Sequence, residues 1–290
     1  MAVSLADLVA TLDLAPAGED RFSGLSPATG WRRIFGGLVV AQALVAMTRT
    51  AGNRPVHSLH GYFMLPGDPE EPIGYAVERL RDGGSFTTRR CVASQHGRPI
   101  FAMSASFHAP EPGALDHAAP MPDAPAPETL PSPDQIRSGL IADLPPSVRA
   151  YFGRDASIEL RPADAARFAR RPPGPHPARQ SVWMRAAGTL PDDPALHAAL
   201  LAYMSDMTLL DTALAAHGRS VFDPDIQGAS LDHSMWFHRP FRADDWLLYA
   251  EDSPSAAGAL GFARGSVFDR SGRLVASTAQ EGLIRRRDRG

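Results

Sequence analysis

The 290-residue sequence contains no lysine and only one cysteine, Cys91. The absence of lysine excludes a lysine Schiff base and the P-loop lysine that contacts nucleotide phosphates. A single cysteine excludes an internal disulfide framework and a cysteine-based zinc site, and it favours a reducing compartment. The single cysteine therefore predicts a cytoplasmic protein.

The sequence also lacks long apolar runs and a strong net charge. No stretch approaches the roughly 18 apolar residues needed to span a bilayer. The pattern of residues 1–14 predicts a short amphipathic helix, and this segment lacks the basic region of a signal peptide. The formal net charge of -3 gives no general attraction to nucleic acid or anionic membranes. We therefore expect small-molecule partners, no nucleic acid or membrane, and assembly as a homodimer or homotetramer.

The chain is long enough for two cores, and its pattern repeats once. An apolar helix-like run over 35–50 precedes several strand-like segments, with turns at Asp82-Gly83 and His96-Gly97. A helix-like run over 194–218 precedes a second set of strands. One helix followed by antiparallel strands is typical of the α+β class.

A proline-rich stretch from Pro110 to Pro133 separates the two halves, because regular packed strands or helices tolerate so many prolines poorly. We predict a first module over 1–110, a linker over 111–155 and a second module over 156–290. A marginal helix is expected at 134–144, within the linker.

Three weak internal matches support a tandem duplication. Gln42-Ala43-Leu44 precedes Thr212-Ala213-Leu214 by 170 residues, Ser58-Leu59 precedes Ser230-Leu231 by 172, and Gly97-Arg98 precedes Gly272-Arg273 by 175. These offsets place Gly36 opposite Asp206 and Ala105 opposite Gln280, which leaves Ser58 as the single polar remnant in the first half.

Asp206 has apolar residues one turn before and after it, so on a continuous helix its carboxylate points from the apolar face. Such a carboxylate requires hydrogen-bond partners and is a candidate general base. Alternatively, the helix restarts at Ser205, and Ser205 and Asp206 cap its first turn.

Gln280 shares a small, apolar strand face by period-two alternation, where an amide can hold a water or a carbonyl. Its neighbour Glu281 lies on the other face and is a competing general base. A purely structural glutamine is the alternative.

Ser230 lacks the G-x-S-x-G pattern of a nucleophile elbow. A triad of Ser230, His233 and Asp232 is disfavoured, because in a regular strand His233 points away from the other two. His57 and His60 also face opposite ways on a strand and no H-E-x-x-H pattern exists, so no metal and no cofactor are predicted. His60, His233 and His238 are expected to be packed or hydrogen-bonded structural residues.

Gly36 and Gly37 precede the first apolar helix, where free N–H groups can bind an oxyanion or allow close approach of an acyl chain. Tight helix packing is the alternative explanation. Both glycines are therefore candidate substrate-binding residues.

Several motifs together resemble the acyl-CoA thioesterase II family, whose members are double hot-dog enzymes. The motifs are FGGLVVAQAL, VHSLHGYFMLPGDP, LRDGGSFTTRR, YMSDMTLL, LDHSMWFHRPF and LVASTAQEG. The resemblance covers nearly the whole chain and implies a tandem hot-dog fold, with two antiparallel sheets each wrapped around a long helix.

The resemblance also implies hydrolysis of acyl-CoA to free fatty acid and coenzyme A by an activated water. The family's catalytic trio falls on Asp206, Ser230 and Gln280, with serine here where other members carry threonine. Arg89 and Arg90 are candidate contacts for coenzyme A phosphates. The alternatives are a hydratase acting on enoyl-CoA and a non-catalytic acyl-CoA binding module.

Overall fold

The computed structural model describes residues 3–27, 33–113, 115–132, 135, 157–164 and 176–287. The helix expected at 134–144 lies outside these residues, apart from Gln135. The predicted N-terminal amphipathic helix is confirmed, and Ser4 and Asp7 form a reciprocal capping box at its start.

In each half the apolar helical segment is followed by antiparallel strands, as predicted, and two further strands precede it. The first half contains α1 (Leu5–Leu12), β1 (Ala15–Gly18), β2 (Arg21–Gly24), α2 (Gly36–Thr48), β3 (Val56–Phe63), β4 (Ile73–Asp82), β5 (Phe86–Gln95) and β6 (Arg98–His108). The second contains β7 (Ile158–Pro162), β8 (Arg179–Ala186), α3 (Pro194–Ser205), α4 (Leu209–Ala215), β9 (Ile226–Ser230), β10 (Asp232–Phe237), β11 (Leu247–Ala257), β12 (Leu260–Asp269) and β13 (Leu274–Arg286).

The strands of the described residues form one antiparallel sheet in the order β1-β2-β4-β5-β6-β3-β10-β13-β12-β11-β8-β7, and β9 pairs with β13. Read outward from the β3–β10 junction, the two halves have the same order. The predicted antiparallel α+β class is confirmed. The sequence predicted two sheets, whereas here they are continuous because β3 and β10 hydrogen-bond to each other.

The central helices lie against the strands of their own halves. Helix α2 contacts strands β2 to β6, and α4 contacts β8, β11, β12 and β13. Nearly all of α2 is buried, from Gly37 to Met47, which explains its apolar sequence without a polar face. Helix α3 packs against α2 and so joins the two halves on the helical side of the sheet.

Residue equivalences between the halves follow from the strand register. Tyr75 pairs with Ala93 on β5, and Tyr249 pairs with Val267 on β12, which gives an offset of 249 − 75 = 174 residues. The same offset sets Ser230 opposite Val56. The predicted match of Ser230 with Ser58 is therefore wrong by two residues, and the Ser230 position has no polar counterpart in the first half.

The apolar run at 194–218 forms two helices, where the pattern predicted one. Helix α3 ends at Ser205, Asp206 is its C-cap, and α4 begins at Leu209. Asp206 thus lies neither inside a continuous helix nor at the first turn of the next one. The break frees its side chain from the helical face while the flanking apolar residues stay buried.

Residues 115–132 of the proline-rich stretch lie along the second half of the sheet. The Trp183 Nε1 donates to the Pro125 carbonyl at 2.9 Å, and an Arg161 nitrogen donates to the Pro127 carbonyl at 2.7 Å. Met121, Ala124 and Leu130 pack against a small buried cluster, Trp183, Trp246, Leu248 and Phe268.

Arg89 is a structural residue of the first half, which corrects its prediction as a phosphate contact. Its side chain is 1% exposed, and its guanidinium donates to Thr50 Oγ1, the Thr50 carbonyl and Asp82 Oδ1. These bonds tie β5 to the end of α2. A guanidinium occupied in this way has little capacity left for a substrate.

The substitution Arg89→Lys should lower the free energy of unfolding by about 2–4 kcal/mol, because an ammonium cannot reproduce the divergent bonds of a buried guanidinium. Urea denaturation measures this change. The neighbouring substitution Arg90→Lys is the control and should stay within about 0.5 kcal/mol of the wild type, since Arg90 is half exposed. Equal stability of the two variants would contradict the structural role of Arg89.

Candidate active site

The turn between α3 and α4 brings Asp206 to the two other residues of the predicted trio. Gln280 Nε2 donates to Asp206 Oδ1 at 2.6 Å, and Ser230 Oγ donates to the same oxygen at 3.3 Å. Asp206 and Ser230 are partly buried, whereas Gln280 is 1% exposed. The three side chains therefore form one hydrogen-bonded group, close enough to share a water.

A β-bulge turns Ser230 toward this group. Ser230 pairs with Gly282 and Ser234 pairs with Ala279, so three residues on one strand oppose two on β13. The extra residue reverses the alternation, as bulges beside functional sites often do. Asp232 Oδ1 accepts the Glu281 N–H at 2.7 Å within the bulge. Regular alternation had predicted that Ser230 and His233 face apart, and the bulge makes that expectation wrong.

The first half contributes the start of α2 to the site. The Gly37 N–H donates to the Asp206 carboxylate, and a helix N-terminus favours a negative charge. A Cβ at Gly36 would lie 2.6 Å from Asp206 Oδ2 and 3.0 Å from the Phe63 ring. The free N–H of Gly37, predicted to bind a substrate oxyanion, therefore binds the protein's own carboxylate, and Gly36 is required for space.

His233 fixes the orientation of the Gln280 amide. Ser205 Oγ donates to the Ala202 carbonyl at 2.9 Å and lies 2.8 Å from His233 Nε2, so this nitrogen carries the proton and donates. His233 Nδ1 is then an acceptor, 3.2 Å from Gln280 Nε2. Burial lowers the pKa of His233 to about 4, which keeps the ring neutral.

Both amide hydrogens of Gln280 are consequently used, one on Asp206 and one on His233. Gln280 Oε1 is buried and accepts no hydrogen bond from the described residues. An amide oxygen in this position can accept a hydrogen bond from a water molecule. Gln280 thus presents an acceptor and cannot serve as an oxyanion donor in this orientation.

The Asp206 carboxyl has a shifted pKa. Burial raises it from 3.8 to about 6, and hydrogen bonds from Gln280, Ser230 and the Gly37 N–H oppose that rise. A carboxylate with this pKa is mostly ionised at neutral pH and is a stronger base than an ordinary aspartate. Its position and basicity suit removal of a proton from water.

The other candidates lie elsewhere. Glu281 follows Gln280 on the opposite face of β13, and it contacts the bulge through its backbone, whose N–H donates to Asp232 and whose carbonyl accepts from the Leu231 N–H. Arg90 pairs loosely with Glu78 at 3.8 Å on the surface. His57 contacts Ser106, and His60 stacks edge-on against Trp236. Within the described residues, no group of three metal-ligating side chains is close enough to hold an ion.

Sequence reasoning placed His233 among packed or hydrogen-bonded residues, which is correct, but missed that it orients Gln280. It also missed Ser205 as the partner of that histidine. The sequence signal available was the short spacing of the polar residues Ser230, Asp232 and His233, and the bulge concealed which of them share a face.

Family models match both halves of the chain. A model described as acyl-CoA thioesterase matches residues 155–283, and one described as acyl-CoA thioesterase N-terminal domain matches residues 26–108. Within the described residues, no helix is both long enough and apolar enough to cross a membrane.

Curated relatives and solved structures agree with these matches. The chain is 38% identical to acyl-CoA thioesterase 2 of Haemophilus influenzae, covering 97% of this chain and 98% of that protein, and 38% identical to human acyl-coenzyme A thioesterase 8, covering 94% and 87%. The structure of acyl-CoA thioesterase II TesB2 from Mycobacterium marinum superposes with a TM-score of 0.79 at 42% identity, covering 97% and 99% of the chains.

A protein with a hot-dog fold from Alicyclobacillus acidocaldarius, 19% identical, superposes with a TM-score of 0.75 over 96% of this chain and 97% of that one, which supports the hot-dog fold. The family models span both halves, and curated relatives match nearly the full length. The chain therefore belongs to the acyl-CoA thioesterase family.

Proposed function

We propose that the protein hydrolyses acyl-CoA thioesters by direct attack of a water held among Asp206, Ser230 and Gln280. The observation that carries this proposal is the convergence of Ser230 and Gln280 on a single oxygen of the Asp206 carboxylate. Relatives named acyl-CoA thioesterases supply the substrate class.

In the proposed mechanism, Asp206 accepts one proton of the water and Gln280 Oε1 accepts a hydrogen bond from the other. Ser230 Oγ holds the carboxylate in position. The water oxygen attacks the thioester carbonyl, and the thiolate of coenzyme A leaves when the tetrahedral intermediate collapses. The proton taken by Asp206 passes to the thiolate, which restores the carboxylate. No covalent acyl-enzyme is required.

We further propose that residues 1–110 and 156–290 are two hot-dog modules, each wrapped around its own helix and connected by the linker at 111–155. The mirrored strand order and the contacts of α2 and α4 support this arrangement. Arg90 is kept as a proposed phosphate contact, because its surface pair with Glu78 is easily exchanged. A homodimer or homotetramer and a cytoplasmic location stay predictions, which light scattering and cell fractionation test.

The decisive experiment measures thiol release from saturated acyl-CoA. Hydrolysis predicts one coenzyme A thiol for each free fatty acid. Water addition to enoyl-CoA without thiol release would instead support a hydratase, and tight binding without turnover would support a binding module. The contacts of His233 disfavour the hydratase, since this histidine bonds Gln280 rather than assisting Asp206.

The variant Asp206→Asn should reduce kcat by about 10²- to 10⁴-fold, the range for loss of a general base. Since the pKa of Asp206 is raised to about 6, the ionised base is present above that pH and is lost as the pH falls through it. The kcat/KM of the wild type should decline below about pH 6, and the residual activity of Asp206→Asn should lack this limb. If the residual activity of Asp206→Asn still declined below about pH 6, the general base would be a residue other than Asp206.

The substitution Gly36→Ala should lower kcat by about tenfold or more, because the new methyl group would lie 2.6 Å from Asp206 Oδ2 and displace the carboxylate. Gly84→Ala is the matched control, since a Cβ there meets nothing within 4 Å. Steady-state kinetics of both variants measure the difference. Equal kcat values would show that the close approach is unimportant.

Ser230→Ala should lower kcat by about tenfold or more, since it removes a hydroxyl that donates to Asp206. Ser230→Thr should keep at least the wild-type kcat, because the added methyl restricts the rotamer without removing the hydroxyl. Initial rates at saturating acyl-CoA test both variants. Wild-type activity in Ser230→Ala would remove this residue from the mechanism.

A further inference from the structure

Strand β11 contacts the segment around Asp206 at two points. Tyr249 OH donates to the Ser205 carbonyl at 3.1 Å, on the residue before Asp206. Two positions along the same strand, and on the same face, the Glu251 carboxylate accepts from the Thr208 hydroxyl, on the second residue after Asp206. Residues on both sides of Asp206 are thus hydrogen-bonded to the same strand.

The Glu251 carboxylate is buried, 3% exposed, and is held by neutral donors. Besides the Thr208 hydroxyl, it accepts from Thr212 Oγ1 at 2.5 Å and from Gln180 Nε2 at 2.6 Å. Gln180 Nε2 also lies 3.1 Å from the Thr208 carbonyl. A buried carboxylate requires such partners, and these fix both ends of the first turn of α4.

The Thr208 hydroxyl donates to Glu251 and does not cap the helix that Thr208 precedes. It is the N-cap of α4, yet its hydroxyl makes no capping hydrogen bond to the helix. A threonine at this position ordinarily caps the backbone N–H groups of the first turn, which stabilises the helix. The hydroxyl points instead to Glu251, so the segment is held against β11 at the expense of local helix stability.

The arrangement is absent from the half without the trio. With the offset of 174, Glu251 corresponds to Val77, because Val77 pairs with Cys91 as Glu251 pairs with Gly265. The tyrosine, by contrast, is present in both halves, at Tyr75 and Tyr249. The carboxylate therefore accompanies Asp206 and is not a general requirement of the fold.

We propose that Glu251 is a positioning residue that, through Thr208, holds the Asp206 turn in the geometry needed for attack by water. This inference deepens the proposed function and rests on it. Glu251 does not contact the reacting atoms, so its loss should reduce kcat and leave KM nearly unchanged. A displacement of the base by about 1 Å can reduce the rate by about 100-fold.

The test compares Thr208→Val with Thr208→Ser. Valine has the shape of threonine but cannot donate to Glu251, whereas serine keeps the hydroxyl. We expect kcat to fall by about tenfold or more in Thr208→Val, with KM within about twofold, and Thr208→Ser to restore most of the wild-type kcat. Steady-state kinetics are measured on folded protein, with its concentration verified by circular dichroism and gel filtration.

Glu251→Gln is the second variant, because an amide keeps the size of the side chain but cannot accept on both ends. Asp252→Asn is its control, on the next position of β11, where the carboxylate pairs with exposed Arg264. Glu251→Gln should show the same loss of kcat, and Asp252→Asn should not. If Glu251→Gln does not fold, the two Thr208 variants decide the question alone.

A purely structural role would lower the thermal midpoint of Thr208→Val while each folded molecule kept the wild-type kcat, and that result would overturn the inference. So would an equal loss in Thr208→Ser and Thr208→Val. Wild-type protein that released no coenzyme A would overturn the proposed function itself, whereas active wild type with unaffected variants would overturn only the role of Glu251.

Discussion

Burial of the ionised Asp206 carboxylate is unfavourable because it removes the charge from water, and the site depends on the hydrogen bonds that offset this loss of hydration. Its donors come from three separate parts of the chain: the start of α2, the end of β9 and the middle of β13. Each is a neutral group, so the charge is stabilised without a cation and keeps a raised pKa. An arginine in the same place would lower that pKa and weaken the base. Because these neutral donors come from both halves of the chain, the raised pKa of Asp206 depends on the folding of both halves.

Neutral polar groups continue behind the trio as a connected layer. His233 joins Gln280 to Ser205, and Tyr249 joins Ser205 to Thr278. Each of these bonds restricts the donor and acceptor roles of the next group, so the orientation of one amide is set several residues away. Buried networks of this kind are rigid when they are satisfied. The Gln280 oxygen, which accepts no hydrogen bond from the described residues, is then a defined feature of this layer.

The class of fold and the order of a helical segment followed by antiparallel strands in each half could be predicted from the sequence, because helix and strand periodicity is local. The trio came from family resemblance. Without the family resemblance, the residues around Asp206 were equally consistent with a helix cap, and Gln280 was also consistent with a purely structural amide. The bulge between Ser230 and Ser234 could not be predicted, since it depends on pairing with β13 rather than on local propensity. The burial of Arg89 also could not be predicted, because it depends on contacts with Thr50 at the end of α2, which is distant in the sequence.

Gly36 belongs to the first half of the chain, yet it is the residue that makes room for Asp206 in the second, because a Cβ at position 36 would lie 2.6 Å from Asp206 Oδ2. An aspartate at position 36 would bring two carboxylates into contact. The pKa of one of them would then rise strongly, and only the other would ionise at neutral pH. This contact therefore has room for a single acidic side chain, and the first half serves the site by contributing a residue that has no side chain.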